Sequence, residues 1–283
     1  MVPFEWNDQD SSWSDGLYSR INNLRRQNPQ LKTHLAIGGW NHGNQPWVEM
    51  VSSDQGIRDF SRNSLQYVKD HGFDGLDLDW EYPGKCTIDC SPPGNIDKFK
   101  QLYRQIRSDI DSNPSFRGLM LTVAVGIGQD KVLEIEGAPP SYDPADLTDY
   151  FDWVHLMSYD MHGHWEDKTG HQAPLYKYTP DQRTNYTTNY DWILDTWIND
   201  LGANPTKMSL GLPTYGQTFK LKNPATDNGM LAQADGPNEE GLYSGTEGEF
   251  TRTPGFLAYY EICEKLASGW TSVWVDEIQG KGR

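Results

Sequence analysis

The sequence has few cysteines, no long apolar run and no excess of basic residues, and each shortage limits what the protein can be. The three cysteines, Cys86, Cys90 and Cys263, are odd in number, so at least one thiol is unpaired within the chain. No apolar run is long enough to span a membrane. Lys and Arg total 24 against 40 Asp and Glu, which gives a formal charge of −16. No basic patch is visible, so binding to nucleic acid or to an anionic membrane is not expected.

The amino terminus and two short patterns give weaker indications of function. The first residues, MVPFEWNDQD, are acidic and contain no apolar segment of the kind found in a signal peptide. Cys86 and Cys90 are four positions apart in a loop rich in Pro and Gly, and they could form a local disulfide. Such a pair alone is weak evidence for a metal. Asn185 begins an N-glycosylation pattern, which is short enough to occur by chance.

The most informative stretch runs from Asp74 to Gly84 and reads DGLDLDWEYPG. In it, Asp77, Asp79 and Glu81 alternate with apolar residues, which is the period of two that is typical of a strand. The three acids therefore share one face, and the other face is apolar enough to be covered by helices. Buried neighbouring carboxylates raise one another's pKa. An acid kept protonated beside an ionised one is the arrangement that glycosidic bond cleavage uses.

Apolar strand patterns alternate with helical patterns at intervals of roughly forty residues, as in βα units around a parallel sheet. Five strands are predicted, near residues 35, 78, 122, 155 and 210. Helices are predicted at 15–27, 56–71, 95–110, 188–201 and 256–266, with a short helical turn from Asp143. The stretch 223–252 breaks this rhythm and indicates a small α+β segment. The predicted fold class is therefore α/β.

Five motifs resemble, in their order along the chain, those of family 18 of the glycoside hydrolases, the chitinases and chitinase-like lectins. LAIGGWN at 35–41 resembles the family's Gly-Gly strand end, and DGLDLDWEYPG has its D-x-x-D-x-D-x-E form. MSYDMHGHW at 157–165 and GLPTYGQTF at 211–219 are similar to its sixth-strand and seventh-strand motifs. GFLAYYEIC at 255–263 resembles its insertion domain. The resemblance covers nearly the whole chain.

The resemblance implies an incomplete (β/α)8 TIM barrel with a small α+β insertion domain. The five strands would be numbers three to seven of the barrel, and strands one, two and eight would be missing. Residues 1–217 would form the partial catalytic barrel, and residues 218–283 a truncated insertion domain. Because a barrel needs closure to remove its edges, we expect an open sheet with apolar surface at both edges.

The resemblance also implies a mechanism in which the substrate's own acetamido group attacks. Glu81 is expected to protonate the glycosidic oxygen, and Asp79 to orient the acetamide N–H and stabilise the positive charge. Asp77 is expected to share a proton with Asp79. Tyr159 is expected to donate a hydrogen bond to the acetamide oxygen, with Asp160 near the cleavage point. The implied activity is retaining, endo-acting hydrolysis of β-1,4 linkages between N-acetylglucosamine units in chitin.

Seven further residues are expected to bind the sugar. Trp40 and Trp165 would be platforms, because aromatic planes suit the apolar faces of sugar rings. The others are Gly38, Gly39, Tyr82, Met157 and Tyr215. No cofactor and no metal is expected. The expected partner is chitin or its oligomers, and the full-length protein is expected to be a secreted, extracellular monomer.

Other interpretations of the same residues stay open. Asp77, Asp79 and Glu81 could hold Mg²⁺ or Ca²⁺, since hard cations prefer carboxylates. Three histidines of one loop could suggest zinc, although their spacing is irregular; they are His162, His164 and His171. Asp74, at the start of the acidic strand, fits a structural role better than a catalytic one.

Three positions depart from the family pattern. Ala36 stands where many members have Ser, and Gln217 stands where many have Arg. Cys263 lacks its usual partner and is expected to be free.

Two other functions compete with hydrolysis. Chitinase-like lectins usually lack the acid at the position that matches Glu81, so its presence here favours an enzyme over a chitin-binding lectin. An inactive truncated product would instead associate through its open sheet edges.

Overall fold

The computed structural model describes residues 3–181, 187–225, 229–236 and 245–279. The possible glycosylation position, Asn185, lies outside these residues. The chain divides into two compact units. We call the first the sheet unit; it comprises the chain up to Leu156 together with Leu201–Ser209. The second unit comprises Met157–Asp200 and the chain from Leu210 onward. The boundary between a barrel and an insertion domain stays a prediction.

Five strands form the main sheet, at the places where the sequence predicts them. They are β1 (His34–Gly38), β2 (Gly75–Asp79), β3 (Met120–Val125), β4 (Trp153–Leu156) and β5 (Met208–Leu210), and they lie in that order. The first four pair in parallel, with His34 opposite Gly75 and Asp77 opposite Thr122. Parallel neighbours need crossover connections, which the intervening helices supply. The predicted α/β class is confirmed.

Nine α-helices lie within the described ranges. They are α1 (Leu17–Asn23), α2 (Gln45–Met50), α3 (Asp54–Asp70), α4 (Asn95–Ser112), α5 (Gln129–Val132), α6 (Pro144–Tyr150), α7 (Tyr190–Asp195), α8 (Tyr259–Ala267) and α9 (Asp276–Gln279). The sequence does not predict the short helices α2, α5 and α9. Helix α3 begins two residues earlier than predicted, because the Ser53 side chain accepts a hydrogen bond from the Gly56 N–H at 3.0 Å and caps the helix there.

The sheet has one apolar face and one polar face. On the apolar face, Leu76, Leu78 and Trp80 are at most 1 % exposed, and Leu121 and Val123 of β3 are equally buried. Helices α3 and α4 bury their apolar stripes, among them Ile57, Leu65, Leu102 and Ile106. Burying one such side chain stabilises the fold by about 1.5–3 kcal/mol. The prediction that helices cover this face of the acidic strand is confirmed.

Helix α1 differs from the other α-helices of the sheet unit because it buries none of its residues. Its apolar side chains Leu17 and Ile21, with Leu24 just after it, are 37 %, 47 % and 43 % exposed. Leu210, in the edge strand β5, is also exposed. Of these exposed side chains only that of Leu210 belongs to an edge strand, so apolar surface at both sheet edges stays a prediction.

A second, two-stranded sheet lies in the second unit. Its strands β6 (Tyr215–Gln217) and β7 (Phe256–Ala258) pair antiparallel. The prediction that a helix begins at Phe256 is wrong, because residues 256–258 pair with β6 and the helix begins only at Tyr259. The Glu261 carboxylate accepts the Ala258 N–H at 2.9 Å and so fixes the start of α8.

The helix predicted at 188–201 forms in two parts. Helix α7 is followed by a π-helical turn, Thr196–Asp200. The sequence predicts core positions for Trp192 and Trp197. Trp197 is fully buried, whereas Trp192 is half-buried.

The cysteines and the helix lengths settle two points that the sequence raised. Cys86 and Cys90 form the local disulfide. Cys263 is exposed and free, as expected. Among the described residues, no helix combines the length and apolar character needed to cross a membrane.

Candidate active site

Three carboxylates follow one another along β2 and its continuation. Asp77 and Asp79 lie on the polar face of β2, and Glu81 follows two residues after the strand ends. Glu81 is 9 % exposed. Alternate residues of a strand are roughly 6.6 Å apart, which is close enough for neighbouring carboxylates to influence each other's charge.

Asp79 has the most unusual surroundings of the three. Its Oδ1 atom is buried and accepts no hydrogen bond from any described residue. Burial, followed by the charges of Glu81 and Asp77, raises the pKa of Asp79 to about 7. A buried acceptor without a donor costs free energy. Asp79 as a whole is only half-buried, but Oδ1 has almost no surface open to a bound molecule.

Two glycines bring backbone directly against Asp79. Gly38 and Gly39 have φ angles of +112° and +93°, a conformation that glycine adopts without strain. The Gly39 N–H donates to the Asp79 carbonyl oxygen at 2.8 Å. A Cβ atom on Gly38 would lie 2.0 Å from that same oxygen. The chain after β1 thus passes over the end of β2 at a distance that only glycine permits.

A threonine of the neighbouring strand holds Asp77. Thr122 of β3 donates from Oγ1 to Asp77 Oδ1 at 2.5 Å. Burial raises the pKa of Asp77, while the Thr122 hydrogen bond and the nearby His155 and His34 oppose the rise. Asp77 and Asp79 therefore both bind a proton more tightly than exposed aspartates do.

Tyr82 directly follows Glu81 and is fixed by packing. Burial raises the pKa of its hydroxyl, and the Glu81 carboxylate raises it further, so the hydroxyl stays neutral. The Lys131 ammonium lies 4.7 Å from the ring centroid. A Cβ on Gly126 would lie 2.7 Å from the ring, so the ring uses the space that this glycine leaves.

Asn44 connects the strand end to the chain around it. It is fully buried, and its Oδ1 accepts the indole N–H of Trp80 at 2.8 Å. Its Nδ2 donates to Thr87 Oγ1 at 3.0 Å. Thr87 in turn donates from Oγ1 to the Glu81 carbonyl oxygen at 3.0 Å. Trp80 and Glu81 are therefore both held by one chain of hydrogen bonds, which runs through Asn44 and Thr87.

The loop closed by the Cys86–Cys90 disulfide supports this chain. Within the loop, the Asp89 carboxylate accepts the backbone N–H groups of Asn44 at 2.5 Å and Gln45 at 2.8 Å. These N–H groups open helix α2, whose amino terminus favours a negative charge. The disulfide loop and α2 are thereby joined next to Glu81.

The second unit brings together another group of predicted site residues. Asp160 has a φ of +54°, which is uncommon for a residue with a side chain. Gln217 donates from Nε2 to Asp160 Oδ1 at 2.8 Å, and its Oε1 lies 3.0 Å from His164 Nδ1. Burial, then a hydrogen bond to Asp160, raises the pKa of Tyr215. The rings of Tyr159 and Tyr215 meet edge to face with centroids 6.4 Å apart.

The predicted sugar platforms have exposed rings. Trp40, in the sheet unit, is 50 % exposed, and Trp165, in the second unit, is 37 % exposed. Met157 is half-buried. The exposure suits stacking against a sugar, and the role of the three residues stays a prediction.

Two residues for which the sequence suggests other roles, His162 and Asp74, contact side chains of the protein itself. His162 is buried, and its Nδ1 lies 2.9 Å from Glu166 Oε2. Asp74 accepts hydrogen bonds from Arg25 at 3.0 Å and Lys32 at 3.2 Å, which are the contacts of a structural residue at the strand start. No group of three His, Cys, Asp or Glu side chains in the described part of the chain is placed to hold a metal ion.

The predicted site residues are divided between the two units. The sheet unit contains Gly38, Gly39, Trp40, Asp77, Asp79, Glu81 and Tyr82, and the second unit contains Met157, Tyr159, Asp160, Trp165 and Tyr215. Sequence reasoning missed Thr122, Asn44 and the contacts of Gln217. Thr122 carried a signal, since it is the one polar residue in the apolar stretch GLMLTVAV. Asn44 carried none, because its partners are distant in sequence.

Comparison with known proteins gives the family. The model of the Glycosyl hydrolases family 18 matches residues 3–281. The fruit fly Drosophila melanogaster has a similar protein, probable chitinase 10, which is 37 % identical over 269 residues, 93 % of this chain and 11 % of that protein. The chain spans half or less of the length of the curated relatives it matches.

Solved structures of similar proteins support the same family assignment. The active, immunomodulatory chitinase of Trichuris suis superposes with a TM-score of 0.83 at 31 % identity, over 97 % of this chain and 68 % of that one. Human YKL-39, described as a pseudo-chitinase with retained chitooligosaccharide binding, superposes with a TM-score of 0.74 at 31 % identity, over 89 % of this chain and 64 % of that one. The family's (β/α)8 barrel is thus the fold to which the five-stranded sheet corresponds. This chain belongs to family 18 of the glycosyl hydrolases.

Proposed function

We propose that the chain hydrolyses β-1,4 linkages between N-acetylglucosamine units in chitin, with retention of configuration at C1. The observation that carries the proposal is the succession of carboxylates Asp77, Asp79 and Glu81, in which burial and the neighbouring charges raise the pKa of Asp79 to about 7. N-acetylglucosamine carries an acetamide N–H beside its reacting carbon. The Asp79 carboxylate is a suitable acceptor for that N–H.

The first step transfers a proton and forms a ring. Glu81 gives its carboxyl proton to the glycosidic oxygen, and the bond from C1 to that oxygen breaks. The acetamido carbonyl oxygen of the same sugar forms a bond to C1, which yields an oxazolinium ion. Asp79 accepts the acetamide N–H, orients the group for attack and stabilises the positive charge.

The second step uses water. Glu81, now ionised, accepts a proton from water while the water oxygen attacks C1 and the bond to the acetamido oxygen breaks. Two displacements at C1 leave its configuration unchanged. Asp77 shares a proton with Asp79, and transfer of that proton from Asp79 to Asp77 leaves Asp79 as the negative member of the pair beside the cation. A pKa of about 7 lets Asp79 change its charge near neutral pH with little cost.

The roles proposed for residues of the second unit are those that the family resemblance implies. Tyr159 donates to the acetamide oxygen, and Asp160, held by Gln217 and Tyr215, binds near the cleavage point. Trp40 and Trp165 stack against sugar rings, which their exposure permits.

Mode of action, location and assembly complete the proposal. The enzyme cuts within the polymer and acts outside the cell as a monomer. The Cys86–Cys90 disulfide supports this location, because disulfides persist in oxidising surroundings. A fall in the viscosity of a soluble chitin derivative that precedes the release of small sugars would support internal cleavage, and the reverse order would contradict it.

Substitution of Glu81 tests the chemistry. Glu81→Gln keeps the shape but cannot transfer a proton, and we expect hydrolysis of a chitin hexamer to fall by at least about a hundredfold. The matched control is Glu49→Gln, an exposed position on α2. The proposal is wrong if Glu81→Gln cuts the hexamer at the wild-type rate. Proton NMR of the first product gives the anomer, and an α-anomer would exclude retention.

A chitin-binding lectin is the second candidate, favoured by the similarity to human YKL-39. The two candidates differ in one measurement. A lectin binds the hexamer without cleaving it in the wild-type chain, whereas the proposed enzyme binds without cleaving only as Glu81→Gln. Calorimetry followed by chromatography of the same sample separates them.

A further inference from the structure

A row of polar side chains crosses the sheet and includes Asp77, the first of the three proposed catalytic carboxylates. We call His34, Asp77, Thr122, His155 and Ser209 the polar row; they come from all five strands, one residue each. The register places them on the polar face, since their strand neighbours Leu35, Leu76, Leu121 and Val154 belong to the apolar face. Buried polar side chains on a sheet are costly unless they bond to one another, so their pairing deserves a functional explanation.

His34 reaches Asp77 through Thr122. Its Nδ1 lies 3.1 Å from Thr122 Oγ1, and Thr122 Oγ1 lies 2.5 Å from Asp77 Oδ1. His34 is on β1 and Thr122 is on β3, so the imidazole has to extend over β2 between them. It does so at Gly75, where a Cβ atom would lie 3.0 Å from the ring. A glycine in the middle strand thus leaves room for the contacts that run from His34 through Thr122 to Asp77, which we call the relay.

The direction of the hydrogen bonds follows from the other ring nitrogen. His34 Nε2 is buried and has no hydrogen-bond partner among the described residues. Burial lowers the pKa of His34, so the ring is neutral at pH 7 and carries one N–H. A hydrogen on Nε2 would be a buried donor without an acceptor, which costs more than an unused lone pair. The hydrogen is therefore on Nδ1, where it is donated to Thr122.

We propose that His34 is a positioning residue that acts through Thr122: it holds the threonine hydroxyl as a donor to Asp77, so that the proton shared by the two aspartates rests on Asp79. The Thr122 hydroxyl has a second acceptor within reach, the Leu76 carbonyl oxygen at 3.5 Å. Donation from His34 occupies one side of Thr122 Oγ1 and strengthens its bond to Asp77. The inference rests on the proposed hydrolysis, because it assigns a purpose to the charge state of Asp77.

Other charged groups near the relay are accounted for. His155 acts on both Asp77 and His34 through charge, and its Nδ1 is bonded to Ser209 Oγ at 2.6 Å. On the Asp77 side, the further charges are those of Asp79 and, through it, Glu81.

Two more acids act on His34 by charge, and both are in ion pairs. Asp74 is paired with Arg25 at 3.0 Å, and Asp152 is paired with Arg107 at 2.8 Å. Both raise the pKa of His34, against the larger effect of burial. Among the described residues, Thr122 is the one hydroxyl that bonds both His34 and Asp77, so it is the position to substitute.

The experiment compares paired variants of the full chain. Thr122→Val removes the hydroxyl but keeps the shape, and Thr122→Ser restores the hydroxyl. His34→Leu removes the donor, and His34→Asn places an amide N–H at the position of Nδ1. Thr148→Val is the matched control, because Thr148 is also buried but belongs to α6.

The readout is the titration of the aspartate carboxyls, followed by carbon NMR of protein labelled at Asp. Thr122→Val is expected to raise the lower of the two pKa values of the Asp77–Asp79 pair by about one unit, as loss of a hydrogen bond to a charged group implies. His34→Leu should raise it by less, and the two conservative variants and Thr148→Val should leave it unchanged. In active protein, the acidic limb of the kcat/KM profile shifts by the same amount.

Two results decide the relay itself. If His34 acts through Thr122, then adding His34→Leu to Thr122→Val has no further effect, whereas an independent effect would be additive. Nitrogen NMR of the wild-type chain should show the hydrogen of His34 on Nδ1. A hydrogen on Nε2, an additive double variant or an unshifted Thr122→Val titration overturns the inference. None of these measurements needs turnover, so a chain that fails to cut chitin would count against the proposed function and leave the relay standing.

Discussion

Gly39 donates its backbone N–H to the carbonyl oxygen of Asp79 at 2.8 Å, so the end of β1 is fastened to the acid that is proposed to hold the acetamide. The same crossing brings the neighbouring glycine so close that no side chain fits there. The position of Asp79 therefore depends on two residues that carry no functional group of their own.

Replacing Gly38 tests this dependence. Gly38→Ala would place a Cβ 2.0 Å from a backbone oxygen, at a φ of +112°, and we expect a loss of at least about 2 kcal/mol of unfolding free energy. Gly118→Ala shares the positive φ but meets no atom within 4 Å, so it should cost about 1–2 kcal/mol. Gly94→Ala, with a φ of −60°, should be nearly neutral. Denaturant unfolding gives the three values, and equal losses at Gly38 and Gly118 would contradict the steric explanation.

The raised pKa of Asp79 predicts how stability depends on pH. The folded chain holds this proton to about pH 7, whereas an unfolded aspartate releases it near pH 4, so stability is lost as the pH rises between these values. Asp79→Asn removes this loss. Relative to wild type, the variant should gain up to about 4 kcal/mol between pH 4 and pH 8. Melting temperatures across this range measure the gain, with the exposed Asp149→Asn as control; parallel curves for Asp79→Asn and wild type would refute it.

The disulfide loop should matter more for activity than for stability. It spans only a few residues, so closing it restricts the unfolded chain little. It does hold Thr87 against the Glu81 carbonyl oxygen. The double variant Cys86→Ser/Cys90→Ser should therefore lower kcat several-fold with a small change in melting temperature. Cys263→Ser is the control, since that thiol is exposed and free. A large fall in melting temperature with unchanged kcat would show that the loop has a structural role alone.

Gln217 provides a prediction for the second unit. In Gln217→Glu the donor to Asp160 is lost once the new carboxyl ionises, while the protonated form still donates. We expect kcat/KM close to wild type at pH 5 and several-fold lower at pH 8, where two carboxylates repel each other. Gln55→Glu, on the exposed side of α3, should show no such trend. A loss that is equal at both pH values would point to shape rather than charge.

Features with a local period were predictable from the sequence, and features made by distant partners were not. The alternation of Asp77 and Asp79 with Leu76 and Leu78 gave both the strand and its two faces. Residues 256–258 were assigned to a helix because local spacing cannot reveal that Tyr215–Gln217 supplies a strand partner. Helix α2 was missed although Pro46 stands in its first turn, where proline is favoured.

In the candidate site, too, the residues of a motif were predictable and the contacts with distant partners were not. Glu81 and Asp79 were identified by their motif, and their local surroundings were not. The sequence predicts the strand that contains His34 but not the hydrogen bond of its side chain, because the partner, Thr122, is 88 residues away. The sequence likewise leaves the state of Cys86 and Cys90 open, because a spacing of four residues does not determine whether the two sulfur atoms meet.

The two-faced strand β2 offers a route for engineering. Residues that hold the protein together point one way, and residues that set its acidity point the other, so a library restricted to positions 34, 122 and 155 would leave the hydrocarbon interior untouched. Directed evolution at these three sites would therefore move the working pH toward acid or alkali while the apolar contacts between sheet and helices stay as they are.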